Sequence, residues 1–224
     1  MTVDASSLVP EPARSFRLPR AKYLLAAAIT LMYLYVLWTN ESFLFNPRDP
    51  EWQHIAPFKM ILLPHGLAAA FALFLGPLQF SERLRRKYIG LHRITGYLYI
   101  AGCYIGAPIG IYIEYFEERL GEPRSFTIAT IVDAAIWMFA TTMALIFIRQ
   151  GKVQQHRQWM TRSFACALIF LEVRAVNAFF QIPVTQIETV VWCCVAAAFP
   201  LADLVLQLEE QLRQRARPAR VSVR

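Results

Sequence analysis

The sequence predicts an all-α polytopic membrane protein: six transmembrane helices, both termini cytoplasmic, and the four central helices forming a bundle. Three observations carry this. Of 224 residues, 56% are hydrophobic and only 17% charged, where a soluble domain carries about 25% charged residues. The apolar residues fall into six runs, each near the roughly 20 residues that cross a bilayer. The basic residues gather in alternate connections, as they do beside an anionic inner leaflet.

The first twenty residues hold Pro10, Pro12, Pro19 and three arginines. They read as a flexible cytoplasmic tail, 1–20, ahead of a retained first span. No small-residue cleavage site follows that span, which argues against a signal peptide. The membrane domain covers 21–208, with spans at about 21–38, 58–80, 94–116, 126–148, 160–182 and 187–208. Between the first two lies a polar loop with Pro47, Pro50, Trp52 and His54. The basic segment Ser81–Tyr88 follows the second span, an acidic loop with Glu117, Glu118 and Glu122 follows the third, and a second basic loop, 149–157, follows the fourth. Residues 209–224 form a basic cytoplasmic tail.

Orientation follows from the charges. One side of a six-span arrangement collects 18 of the 23 lysines and arginines, which places both termini in the cytoplasm of a cell whose inner, plasma membrane holds the protein. The formal net charge of +7 therefore belongs to loops facing anionic lipid and not to a nucleic-acid groove. Cys103, Cys166, Cys193 and Cys194 all lie within apolar runs and lack metal-ligand spacing, so they read as small packing residues with no metal site.

Ionisable groups inside apolar runs are the functional candidates, because burying them in hydrocarbon is costly unless they pair or face the bundle interior. His65 and Asp133 enter their spans from the outer side, roughly 10 Å deep at 1.5 Å per residue. Arg174, Asn177 and Gln181 share one face of the fifth span, with Glu172 pointing the other way. His65, Asp133, Arg174 and Asn177 are thus expected to form one outer polar cluster, with Tyr112 or Glu114 beside it. Such a cluster suits a small molecule, a quinone or a proton. The alternative is an Asp133–Arg174 pair that only fixes packing.

At the inner surface, His92 and His156 each precede an arginine and sit on loops that can meet beneath the third and fifth spans. Two neutral imidazoles facing across a bundle are the axial ligands of a membrane b-type haem, with Arg93, Arg157 and Arg162 placed for its propionates. The competing reading is helix capping or headgroup contact. In the third span, Gly102, Gly106 and Gly110 form a small-xxx-small series for close helix approach, and Pro108 introduces a kink. Gly-rich phosphate loops, zinc signatures and nucleophile elbows do not occur.

Several short motifs agree in order with one family. They are Pro64-His65-Gly66, Leu75 to Phe80, Leu84-Arg85-Arg86, Leu91 to Tyr99, and His156 to Ser163. Over about residues 60–180 the chain resembles the predicted membrane proteins catalogued as domain of unknown function 2306. By that resemblance His65, His92, Arg93, Gly96, His156, Arg157, Trp159, Met160, Arg162 and Arg174 occupy the family's motif positions. It implies a multi-spanning fold and no activity. The turn His92-Arg93-x-x-Gly96 is also faintly similar to ferric-reductase-like transmembrane domains, which hold two haems on histidine pairs about thirteen residues apart. Here that position is Ile105, which leaves one haem at most.

Two functions stand. One is a redox protein that binds one b-type haem or exchanges electrons with quinone. The other is a non-enzymatic small transporter, or an accessory subunit partnered with other membrane proteins.

Overall fold

The computed structural model describes residues 19–39, 43 and 46–215, and every extended element among them is a helix. The expected 1–20 tail lies almost wholly outside the described residues. In chain order the helices are α1 (Pro19–Thr39), α2 (Glu51–His54), a 3-10 turn (Ala56–Phe58), α3 (Lys59–Gln79), α4 (Glu82–Lys87), α5 (Ile89–Leu120), α6 (Arg124–Arg149), α7 (Val153–Phe180) and α8 (Val184–Arg215).

Five of them are long and apolar enough to cross a membrane: α3, α5, α6, α7 and Gln186–Leu212 of α8. The first of the six expected spans, α1, contributes a shorter apolar stretch, Leu24–Thr39. Large apolar side chains remain exposed around the outside, among them Leu63, Leu67, Ile105, Ile131 and Phe139. A water-soluble protein does not display so continuous an apolar surface, whereas helices that satisfy their own backbone can present it to lipid. The protein is a polytopic membrane protein in contact with the bilayer.

Helices α3, α5, α6 and α7 close a four-membered ring, each touching the next, with α1 lying on α7 and α8 lying on α7 and α6. Small residues set the α3–α5 distance. An added Cβ at Gly102 would stand 2.5 Å from the Ala68 carbonyl oxygen and 3.1 Å from the Ala72 nitrogen, so the small series on α5 fits against buried alanines on α3. At Gly76 of α3 the same addition would fall 2.4 Å from the Phe164 ring of α7.

The interior of the ring holds a hydrogen-bonded circuit. Tyr99 on α5, Thr141 on α6 and Ser163 on α7 each show no exposure. The Trp137 indole N–H donates to the Tyr99 hydroxyl at 3.2 Å. Tyr99 and Ser163 are 2.7 Å apart, as are Ser163 and Thr141, and Thr141 donates to the Trp137 carbonyl at 2.9 Å. An indole only donates, so Tyr99 must pass its own proton to Ser163, and Ser163 must pass its proton to Thr141. In the opposite sense the tyrosine proton would have no acceptor. The circuit starts and ends on Trp137, and every proton in it is used.

The helices also extend past the apolar runs. His92 and His156, expected on loops, lie in the first turns of α5 and α7. Helix α5 starts on Ile89-Gly90-Leu91, whereas on α7 the polar residues Gln154 and Gln155 carry the helix past the apolar run. Likewise α8 runs to Arg215. The basic segment after α3 contains the short helix α4, whose first turn is capped by Ser81 Oγ accepting from the Leu84 N–H at 3.2 Å. Glu82 starts this helix and Arg85, Arg86 and Lys87 end it, in the sense the helix dipole favours. Gln79 then donates to Thr95 at 2.7 Å, joining the end of α3 to the start of α5.

Proline leaves a specific demand on this framework. Pro77 lies inside α3 and has no N–H, so the Leu73 carbonyl four residues earlier loses its helical donor. The Tyr33 hydroxyl of α1 donates to that carbonyl at 2.7 Å. Tyr33→Phe is therefore expected to destabilise the protein by about 1–3 kcal/mol, the cost of an unsatisfied buried group. In the Pro77→Ala background, where the backbone N–H returns, the same change should cost much less. Unfolding by sodium dodecyl sulfate titration of the four variants in bicelles checks this.

Candidate functional site

Polar side chains gather at two levels of the bundle. The first is the end bearing the basic loops. The α3–α5 and α6–α7 connections bring the first turns of α5 and α7 to this end, and α4 lies across it against α5. His92 and His156 are close enough to interact electrostatically, Arg85 of α4 acts on both, and Arg93 acts on His92. The structure thus brings the two histidines together as the sequence suggested, and adds Arg85.

Their ring nitrogens are held differently. His156 Nδ1 lies 2.9 Å from the Ala144 carbonyl oxygen of α6. A carbonyl only accepts, so Nδ1 carries the proton and the lone pair resides on Nε2. His92 Nδ1 is buried with no hydrogen-bond partner. Buried polar atoms are nearly always partnered, and this one is an exception at a ligand-capable nitrogen.

The other two arginines have structural partners. Arg157 pairs with Glu209 at 3.3 Å, and Arg162 pairs with Asp203 at 2.8 Å, both on α8. The Arg162 guanidinium also lies over the Trp159 ring, 4.8 Å from its centroid, and Trp159 meets Phe139 and Phe199 edge-on. The sequence missed these pairs because Asp203 and Glu209 sit near and beyond the end of the last apolar run, on a helix whose facing is invisible without its neighbours. The arginines that act on His92 are Arg85 and Arg93.

The second level is the opposite half. The single expected cluster divides in two. Arg174 acts on His65 and on Glu114. His65 reaches from α3 to the Gly106 carbonyl of α5 at 3.1 Å, and Gly110 leaves it room: a Cβ there would stand 3.1 Å from the His65 ring. Asn177 is half-buried on the same helix as Arg174, while Tyr112 is 51% exposed on α5. Asp133, in contrast, is 3% exposed and interacts with Glu172, Cys103 and Cys166. Two residues along a helix turn about 200°, so α7 shows Arg174 to one side and Glu172 to the other. No group of three or more metal-ligating side chains occurs among the described residues.

The α7–α8 clasp yields a prediction. Arg162→Gln should cost about 1–2 kcal/mol through the lost pair and ring stacking. Arg162→Lys should recover less than half of it, because an ammonium cannot reproduce the planar fork over Trp159. Thermal unfolding of the three proteins in detergent, followed by far-ultraviolet circular dichroism, checks both.

Comparison with known proteins adds one match. No curated protein and no solved structure matches the chain, and the fainter likeness to ferric-reductase-like domains finds no support. A family model does match, over residues 62–206, which takes in His65, both inner histidines, the Arg162–Asp203 pair and the Tyr99 circuit. The chain belongs to the predicted membrane protein family DUF2306.

Proposed function

We propose that this is a redox protein of the inner membrane, with both termini cytoplasmic, whose His92 and His156 hold one b-type haem. The observation that carries the reading is the state of the two rings. His156 is oriented by donating Nδ1–H to Ala144, the arrangement that presents a metal ligand through its other nitrogen. His92, on the neighbouring helix start, has a buried nitrogen without a partner. Arg85 and Arg93, which act on His92, would supply the cations for the propionates in place of Arg157 and Arg162, which α8 engages. The donor set fits the group.

A haem ligated by two imidazoles supplies one-electron transfer. The protein's own residues do the rest. Ala144 fixes the His156 tautomer, the first turns of α5 and α7 set the spacing of the imidazoles, and α4 brings Arg85 over them. A quinone in the surrounding lipid suits the exchange of those electrons. The orientation rests on the positive-inside distribution of lysine and arginine. A second reading, a small transporter or an accessory subunit of a membrane complex, is favoured by a separate observation, the buried carboxyl of Asp133.

Optical spectra of the detergent-purified protein, oxidised and then dithionite-reduced, test the proposal. After expression with ample haem supply, a Soret band that shifts on reduction is expected, with loss of the band in His92→Ala and in His156→Ala. A featureless spectrum from folded wild-type protein overturns it.

A further inference from the structure

Asp133 is the most enclosed carboxyl among the described residues, and the redox reading does not use it. It projects from α6 into the space between α5, α6 and α7, is 3% exposed, and its Oδ1 has no hydrogen-bond partner. The titratable groups that face it are Glu172 and Cys166 on α7 and Cys103 on α5. Glu172 in turn reaches Cys194 on α8. None of these groups offers a positive charge. Asp133 lies nine residues into α6 and Glu172 eight residues before the end of α7, so both stand about 12–14 Å along their helices, within the apolar layer.

We propose that Asp133 and Glu172 form a proton-binding site inside the membrane, at which Asp133 holds a proton at neutral pH. An ionised carboxylate in this position would lack solvation, lack a donor on Oδ1 and face a second acid. Protonation removes the charge, and with it the desolvation cost of the anion and the repulsion from Glu172. A metal cation is the poorer ligand. Hard cations need six or more oxygens, whereas the other titratable groups facing the pair are the Cys103, Cys166 and Cys194 sulfurs, and soft metals need three or more ligating side chains, which the described residues do not assemble here.

The circuit lies one helical turn below. Its last donor, Thr141, lies within reach of both the Trp137 carbonyl and the Cys103 sulfur, and Cys103 also faces Asp133. Asp133 precedes Trp137 by one helical turn, so a proton held there lies on the side of the circuit away from the basic loops. The site stands on observations separate from those behind the haem proposal, and either can fail alone.

Infrared spectroscopy of the wild-type protein in lipid nanodiscs tests it without relying on a variant that must fold. Aspartate carrying carbon-13 at its side-chain carboxyl is incorporated and the spectrum recorded at neutral pH. A protonated-acid carbonyl band that moves to lower frequency with the label, and bleaches as the pH is raised, is the expected result. Asp49 and Asp203, the other described aspartates, are partly exposed, and Asp203 is paired with Arg162, so two variants assign the band to Asp133. Asp133→Asn should remove the band, and Asp133→Glu should restore one that is insensitive to the aspartate label. A neutral-pH spectrum with no label-sensitive acid carbonyl overturns the proposal.

Discussion

The hydrogen-bond circuit through Tyr99, Ser163, Thr141 and Trp137 is the constraint on which the bundle turns. It joins α5, α6 and α7 where water does not reach, and its members are short or rigid side chains with one proton each. Apolar packing in lipid gives helices little reason to prefer one rotation over another, since lipid tails are as apolar as leucine. A buried polar circuit does give a reason. Rotating any of the three helices by one residue would take a hydroxyl out of reach and leave its partner unsatisfied, at about 1–3 kcal/mol for each orphaned group. Close contact between α3 and α5 through Gly102 then places the fourth helix against a framework already fixed in rotation.

A second regularity follows from the same solvent. Among the described residues, four side chains cross between helices to a backbone carbonyl: Tyr33 to Leu73, His65 to Gly106, Thr127 to Glu114 and His156 to Ala144. A helical carbonyl has two lone pairs and uses one for its own helix, so in hydrocarbon its spare acceptor is the nearest available partner for a polar side chain. Pro77 makes Leu73 wholly available. The same device orients His156 and leaves its other nitrogen exposed to chemistry. The two proposed sites thus both arise from what the carbonyls and hydroxyls leave unsatisfied, His92 at one level and Asp133 at the other.

Much of this architecture was legible in the chain. Apolar run length located the spanning helices, because the bilayer imposes both length and composition. The spacing of Gly102, Gly106 and Gly110 announced close packing, although Gly110 proved to make room for His65. The placement of His92 and His156 beside basic segments on the same side led to the expectation that they meet, although on loops rather than in helical first turns. What stayed hidden was facing. Tyr99, Thr141, Ser163 and Trp137 sit in apolar runs where hydropathy treats them as unremarkable. The separation of Asp133 from Arg174, and the engagement of Arg157 and Arg162 by α8, depend on helix rotations that four or five unconnected faces must settle together.

A double-mutant cycle on Tyr99→Phe and Ser163→Ala, read as unfolding free energy in bicelles, tests most directly whether the circuit acts as one unit. Each single change breaks the chain of donors and strands a neighbour, so the pair removed together should cost less than the sum, with a coupling of about 1–3 kcal/mol. Strictly additive losses would show that the two hydroxyls stabilise the bundle independently, and would contradict the account.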